Sequence, residues 1–355
     1  MTIRLLPAAL VLTLAVPSLA SAATWYVANT GADNGGCGVT TATACRSIQQ
    51  AIDLANAGDI VSVGPGRYGD LNRNGIPGDA GEERGSPGCG CVLSINKAVA
   101  VISTAGAAAT VIDARTVRYR TNVLLITVGG EFGRPGKGFT VTGTALREGS
   151  GVVLDASSVM VRGNQVIYST PAKLPQGLGL EISTSSGWGI ITVNNEPVLL
   201  QGNYVDGWFF GVEVRGAAVL SKSQIVRNYI GVTAAGSSVV SGNSVSAGIY
   251  GIYLTSGASA TGNAVFANGS SGISFNGPAT ATKNNLYGNG DFDLYVKGCG
   301  TSNNGVVGVN ATNNYWGAPS GPGAGTADTV CNYDGGVTRF TPFATKPFTV
   351  KVVKP

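Results

Sequence analysis

The sequence predicts an all-β chain built as a parallel β-helix, a solenoid, with a short capping helix near the N-terminus. Three observations carry this. Gly211-Val212-Glu213-Val214 is followed by Gly231-Val232-Thr233, Gly251-Ile252-Tyr253-Leu254, Gly272-Ile273-Ser274-Phe275 and Phe292-Asp293-Leu294-Tyr295-Val296, at steps of 20, 20, 21 and 20. A fixed period in that range marks one supersecondary unit stacked on copies of itself. Gly242-Asn243, Gly262-Asn263 and Lys283-Asn284 form an offset series at 20 and 21 residues, as expected where a turn needs a residue that tolerates the left-handed region and bonds locally. Stacked asparagine side chains there can also bond along the axis. The apolar runs are short, rich in Val and Ile, and bounded by Gly, Asn and Ser, with no long 3.6-residue period, so the unit is made of strands. Upstream, Gly163-Asn164, Gly202-Asn203 and Arg227-Asn228 keep the signal at uneven spacing, which predicts insertions between coils.

The 355 residues divide in order along the axis. Arg4, the apolar run Leu5 to Val16, Pro17 and Ala20-Ser21-Ala22 have the shape of a secretory signal over residues 1–22. The expectation is a secreted, monomeric protein, since no later stretch is long and apolar enough to span a bilayer. Residues 23–68 supply the cap helix and first strand. Within them Ile48, Ala51, Ile52 and Ala55 follow helical spacing over 46–58, Ser47 and Gln50 form a capping-box pattern and Gly58 can stop the helix. An inserted loop is expected at 69–92, coils at 93–312 and a C-terminal cap at 313–355.

Composition excludes several functions. With no histidine, His-based triads, metal sites and general bases cannot exist. Lys plus Arg number 23 and Asp plus Glu 19; removing Arg4 with the signal leaves 22 − 19 = +3, too little to indicate nucleic-acid binding. Six cysteines in an exported chain read as disulfides: Cys37 with Cys45, Cys299 with Cys331, and Cys89 and Cys91, too close to pair comfortably with each other, reaching the first two instead. Six cysteines allow 15 pairings, so connectivity stays open.

Thr24-Trp25-Tyr26-Val27, Arg46-Ser47-Ile48-Gln49-Gln50-Ala51-Ile52, Gly58-Asp59-Ile60-Val61 and Val63-Gly64-Pro65-Gly66-Arg67-Tyr68 resemble the opening of exported right-handed parallel β-helix proteins of the pectin-lyase-like superfamily. Val111-Ile112-Asp113, Gly138-Phe139-Thr140-Val141, Asn313-Asn314-Tyr315-Trp316-Gly317 and Gly321-Pro322 match later landmarks of that group, so the resemblance covers most of 24–345. It implies the right-handed fold and an extracellular or cell-envelope polysaccharide partner. It leaves activity open, because members include lyases, hydrolases, epimerases and proteins without turnover. The polygalacturonase branch needs a histidine this chain lacks. Asp291 and Asp293 match a structural segment near the end of many such proteins.

Candidate chemistry is sparse. Glu181 and Glu213 each follow the Gly of a similar strand by two residues; in one column on adjacent coils they would lie ~4.8 Å apart, near the separation in retaining glycosidases. Outward surface carboxylates give the same pattern. Arg215, with Lys222 and Arg227, could neutralise a uronate in a β-elimination, and Tyr204, Trp208, Phe209 and Tyr229 could stack on sugar rings. Tyr315 and Trp316 read as packing at the end of the solenoid. Asp70, Asn72 and Asn74 place oxygens at positions 1, 3 and 5 and Gly75 at position 6 of a Ca²⁺ loop, followed by Asp79 and by Glu82 one place late. The function that follows is a secreted β-helix that binds or processes polysaccharide, as a lyase or glycoside hydrolase. The alternative is a noncatalytic surface or adhesive scaffold.

Overall fold

The structure, a computed structural model, describes residues 21–355 apart from 119–121, 147, 169–170, 174–180, 184–185, 256, 291–297 and 354, and of 171–173 and 181–183 the backbone alone. Most of the expected signal segment, the expected repeat at 292–296 and the Asp291/Asp293 pair therefore lie outside the described residues. The chain winds through three parallel sheets of 12, nine and 10 strands, here sheets A, B and C. Sheet A runs from Thr24–Val27 to Thr338–Arg339, sheet B from Gly66–Gly69 to Asn285–Tyr287, and sheet C from Cys91–Ile95 to Thr329–Tyr333. One coil shows the path: Val219–Ser221 lies in A, Gln224–Val226 in B and Ile230–Ala234 in C, and Val239–Ser241 returns to A beside the first. This is a parallel β-helix, whose paired strands reach into both terminal segments.

The sequence period is the width of a coil. Phe210–Val214, Ile230–Ala234, Tyr250–Leu254 and Ser271–Phe275 are neighbours in sheet C, with Val212, Val232, Ile252 and Ile273 in one register column. All four are buried, and each such side chain contributes about 1.5–3 kcal/mol by leaving water. The next strand of that sheet is Cys299–Asn304, so the sheet C neighbour comes later than a further 20-residue step.

The recurring glycines are there for space. A Cβ on Gly231 would lie 2.6 Å from the carbonyl oxygen of Gly251, and one on Gly251 would lie 2.3 Å from that of Gly272. The same column passes the corner between sheets B and C, where a Cβ on Gly211 would meet the Asn228 amide at 2.9 Å and one on Gly272 the Asn289 amide at 2.9 Å.

Two corner ladders of buried asparagine tie the coils together. Between A and B, the Asn243 N–H donates to Asn263 Oδ1 (2.9 Å), Asn263 N–H to Asn284 Oδ1 (2.9 Å) and Asn284 N–H to Asn314 Oδ1 (2.8 Å). Upstream, Asn164 donates to Asn203, and Ser223 stands in for asparagine between Asn203 and Asn243. Each Nδ2 then donates inward to a core carbonyl, as Asn263 does to Val240 O at 2.9 Å. The left-handed residue is the one before each asparagine, Gly242, Gly262 and Lys283 at φ 64°, 65° and 58°, and Lys222 at 52° plays the same part before Ser223. Asn228 belongs to the other corner, between B and C, where it accepts the Trp208 N–H; after a coil that carries Gly248 there, a ladder runs from Gly248 N–H through Asn268 and Asn289 to Asp328.

Near the N-terminus the helix is Ile48–Leu54, shorter than the periodicity suggested. Ser47 Oγ accepts from Gln50 N–H (3.2 Å), but the Gln50 side chain turns to Asn34 O, and buried Glu83 takes the Ile48 and Gln49 N–H groups at 2.7 and 2.9 Å. Ile48, Ala51 and Ile52 are fully buried in the same core as the coils. Cys37–Cys45 and Cys299–Cys331 are bonded as expected. Cys89 and Cys91 pair with each other, against expectation. Gly88 and Gly90 at φ 82° and 60° turn the chain enough to bring their Cα atoms to 5.2 Å.

Asn263→Ala removes the acceptor of the buried Asn243 N–H, so denaturant unfolding should show a loss of about 2 kcal/mol or more; an unchanged midpoint would contradict the ladder. Burial raises the Glu83 carboxyl to about 7 despite its two backbone donors. The folded state therefore holds a proton more tightly than the unfolded chain, and stability from this group declines as pH rises from about 4.5 to 7. Melting temperatures measured from pH 4.5 to 8 should show this declining component in the wild type and lose it in Glu83→Gln.

Candidate functional site

Side chains alternate across each strand of sheet B, and two outward columns result. One carries Arg67, Val111, Thr140, Gln165, Tyr204 and Gln224; the other carries Gly69, Asp113, Thr142, Ile167 and Asp206. Small and polar residues in the middle coils leave a concavity of about 410 Å3 lined by Val111, Arg115, Thr140, Thr142, Ile167, Tyr168, Asp206, Gly207 and Arg227. It continues past Arg115 into a basin of about 210 Å3 with Arg67, Arg73, Asp113 and Thr116. On the other side, past Ile167 and Asp206, it reaches one of about 470 Å3 with Gln165, Tyr204, Gln224 and Pro355. Together they form one groove along the axis.

An arginine–aspartate cluster marks each half. Asp113, nearly buried, accepts Arg67 Nε at 2.6 Å and Arg115 Nε and Nη2 at 2.9 and 2.7 Å. Arg67 also donates to Leu71 O at 3.0 Å. Asp206 accepts Arg227 through Nε (2.9 Å) and Nη2, and the Tyr204 hydroxyl at 3.0 Å. The two acids are three strand spacings apart, ~14 Å. Arg115 and Arg227 remain 50% and 45% exposed while their acids are 2% and 6% exposed, so the cationic edges face the groove.

At the Asp113 cluster, hydrogen bonding favours the charged forms. Burial alone would raise the Asp113 carboxyl, but hydrogen bonds from Arg115 and Arg67 hold it well below the usual carboxylate range. The hydrogen bond to Asp113, and then its charge, raise the Arg115 guanidinium. Burial and the neighbouring Asp206 push the Tyr204 phenol to about 12. The groove thus offers fixed cations, hydroxyls and a neutral phenol.

Of the residues singled out from the sequence, Tyr204 and Arg227 meet at Asp206 and the rest do not join them. Tyr204 alone of the stacking set lies in the groove. Trp208 is fully buried, its Nε1 donating to Val166 O at 3.1 Å and its ring edge-on to Tyr168, because the corner between B and C turns it inward; it is core. Trp316 is likewise buried. Glu213, Arg215 and Tyr229 lie on the sheet C side. Glu213 accepts Trp188 Nε1 at 2.6 Å and Arg215 Nε at 2.7 Å. Its register partners are Ile191 and Thr233. Glu181 instead occupies a two-stranded antiparallel hairpin, opposite Lys173, so the two glutamates share no column. Tyr229 stacks face to face on Phe209 with ring centres 4.4 Å apart and Trp188 on Phe210 at 5.0 Å, so one face of each ring is covered by its neighbour.

In the 70–82 loop, Asp79 Oδ2 accepts Nδ2 of Asn72 (2.6 Å) and of Asn74 (2.9 Å). Glu82 clasps backbone, taking the N–H groups of Leu71, Asn72 and Asp79 at 2.8, 3.0 and 3.3 Å. Asp33, Cys37 and Cys45 also cluster, but the sulfurs are joined in a disulfide and Asp33 Oδ1 takes the Arg46 and Ser47 N–H groups.

Comparisons with known proteins bear on the fold alone. No family model matches the chain, and no curated protein does. Among solved structures it resembles the Dettilon tailspike protein gp208, with TM-score 0.51 and 16% identity over 86% of this chain and 68% of that one. Weaker likenesses are pectate lyase Pel9A (TM-score 0.48, 17% identity, 92% of this chain and 77% of that one) and the A-module of the Azotobacter vinelandii mannuronan C-5 epimerase AlgE6 (0.41, 14%, 85% and 95%).

Proposed function

We propose that the protein binds an anionic polysaccharide outside the cell along the sheet B groove, without turning it over. The observation that supports this most is the pair of arginine–aspartate clusters, Arg67 and Arg115 on Asp113 and Arg227 on Asp206, ~14 Å apart on one groove. A guanidinium pre-oriented by a buried carboxylate holds its charge at the groove at low entropic cost, a placement suited to carboxylate or sulfate groups. Gln165 and Gln224 supply neutral hydrogen-bonding groups beyond the clusters, while the Thr140 and Thr142 hydroxyls serve the backbone of neighbouring coils. That mixture matches a hydroxyl-rich chain carrying spaced anions. Three disulfides fit an oxidising compartment.

The same geometry argues against turnover. The acids at ~14 Å exceed the ~5–9.5 Å that two-carboxylate glycoside hydrolysis uses. A guanidinium whose proton is held more tightly by Asp113 is a poor base for β-elimination.

Affinity electrophoresis of the disulfide-intact protein in polygalacturonate, alginate and dextran tests this reading. Retardation by an anionic glycan, weakened by salt, is expected. Arg115→Ala and Arg227→Ala should each weaken it about tenfold or more, while Arg134→Ala, paired with Glu131 on sheet A, should leave it unchanged. Absence of retardation by any anionic glycan, or groove variants that bind like wild type, would contradict it. Unsaturated uronate accumulating on long incubation would replace binding with lyase activity.

A further inference from the structure

We propose that the inserted loop between Asp70 and Glu82 is a calcium site, built from Asp70, Asn72, Asn74 and Asp79 and closed by Glu82. The loop joins the sheet B strand Gly66–Gly69 to the sheet C strand Cys91–Ile95. Its apolar content is small, so its order rests on polar contacts. The side-chain oxygens of Asn72 and Asn74 accept the N–H groups of Asn74 and Ile76 at 2.9 and 2.7 Å, and Gly75 sits at φ 88°. These bonds curl the segment around its own acidic side chains.

A separate observation points to a missing ligand. Asp70 is fully buried; its Oδ2 accepts the loop's own Gly75 N–H at 3.0 Å and the Thr116 hydroxyl at 2.5 Å, while its Oδ1, equally buried, has no hydrogen-bond partner. Oδ2 is fixed to Gly75, so the orphaned oxygen sits on a carboxylate that the turn itself holds in place. A buried carboxylate oxygen without a donor is costly and rare, and a cation is the partner that would satisfy it.

The other groups supply what a hard cation needs. Asn72 and Asn74 already meet at Asp79 Oδ2, within 2.6 and 2.9 Å. Half a turn of each amide exchanges nitrogen for oxygen, an exchange that costs two local turn bonds and places two carbonyl oxygens beside a carboxylate. With Asp70 and Asp79 the set holds two negative charges and only oxygen donors, the preference of Ca²⁺, which accepts six to eight such ligands in irregular geometry; Mg²⁺ demands a stricter octahedron. Arg67, which donates to the Asp70 and Leu71 carbonyls, leaves the carboxylates of the loop alone. Glu82, its oxygens on three backbone N–H groups, fixes the span of the loop.

Calorimetric titration and thermal melting of the EDTA-dialysed, disulfide-intact protein test the assignment without any glycan, so the outcome is separate from that of the binding groove. Ca²⁺ should bind with a Kd of about 0.1–1 mM, as loops of modest charge do, and raise the melting temperature by about 2 °C or more at ten times the Kd. Mg²⁺ at the same concentration should do much less. Asp79→Asn, at an exposed position, should keep the wild-type circular dichroism and weaken calcium binding about tenfold or more; Asp70→Asn should abolish it. No heat and no shift with ~10 mM Ca²⁺, or an Asp79→Asn variant that responds fully, would overturn the proposal.

Discussion

The tight corner between sheets A and B leaves backbone N–H groups in a space that water does not reach, and the rest of the structure depends on how they are satisfied. Asparagine supplies both halves of the answer. Its Oδ1 takes the N–H of the previous coil's corner residue and its Nδ2 donates to a carbonyl of the core, as Asn263 does for Asn243 and Val240. A corner bound this way admits one register between coils, since a slip of one residue removes the acceptor and turns the apolar column outward. The glycine column of sheet C follows from the same crowding at the other corner, where Asn228 and Asn289 lean over Gly211 and Gly272. Packing and polar satisfaction thus specify the same stacking.

What repeats along the chain was legible, and what is assembled across coils was not. Gly231, Gly251 and Gly272 are spaced by the coil itself, so their period is the architecture seen in one dimension. Asn243, Asn263 and Asn284 were placed correctly at a corner, although the left-handed conformation falls on the residue before each. Asn228 falls in the same sequence series, yet it serves the other corner; one coil has two tight turns, and spacing alone does not separate them. Trp208 looked like a platform because a turn flanks it, and its inward side becomes visible only when Val166 and Tyr168 arrive from the preceding coil.

The groove shows the same limit. Asp113 is held by Arg67, 46 residues earlier, and Asp206 by Arg227, 21 residues later, distances at which no local motif exists. One clue was present: in Asp113-Ala114-Arg115, residues two apart at a strand end can meet, and they form a two-point pair there. Glu213 and Arg215 also meet on sheet C, where stacked aromatic rings flank the pair and the hollow of that sheet, about 270 Å3, begins two coils further on at Tyr253. Similar ion pairs therefore have different consequences because the small outward residues Thr140 and Thr142 open sheet B.

Amide hydrogen exchange measures the corner bonds most directly. If buried asparagine ladders hold the coils in register, the N–H groups of Asn243, Asn263 and Asn284 exchange only through global unfolding and rank among the slowest in the protein. Exchange of these amides as fast as that of exposed Ser237 would show that the corners open independently, and that the register is held by something else.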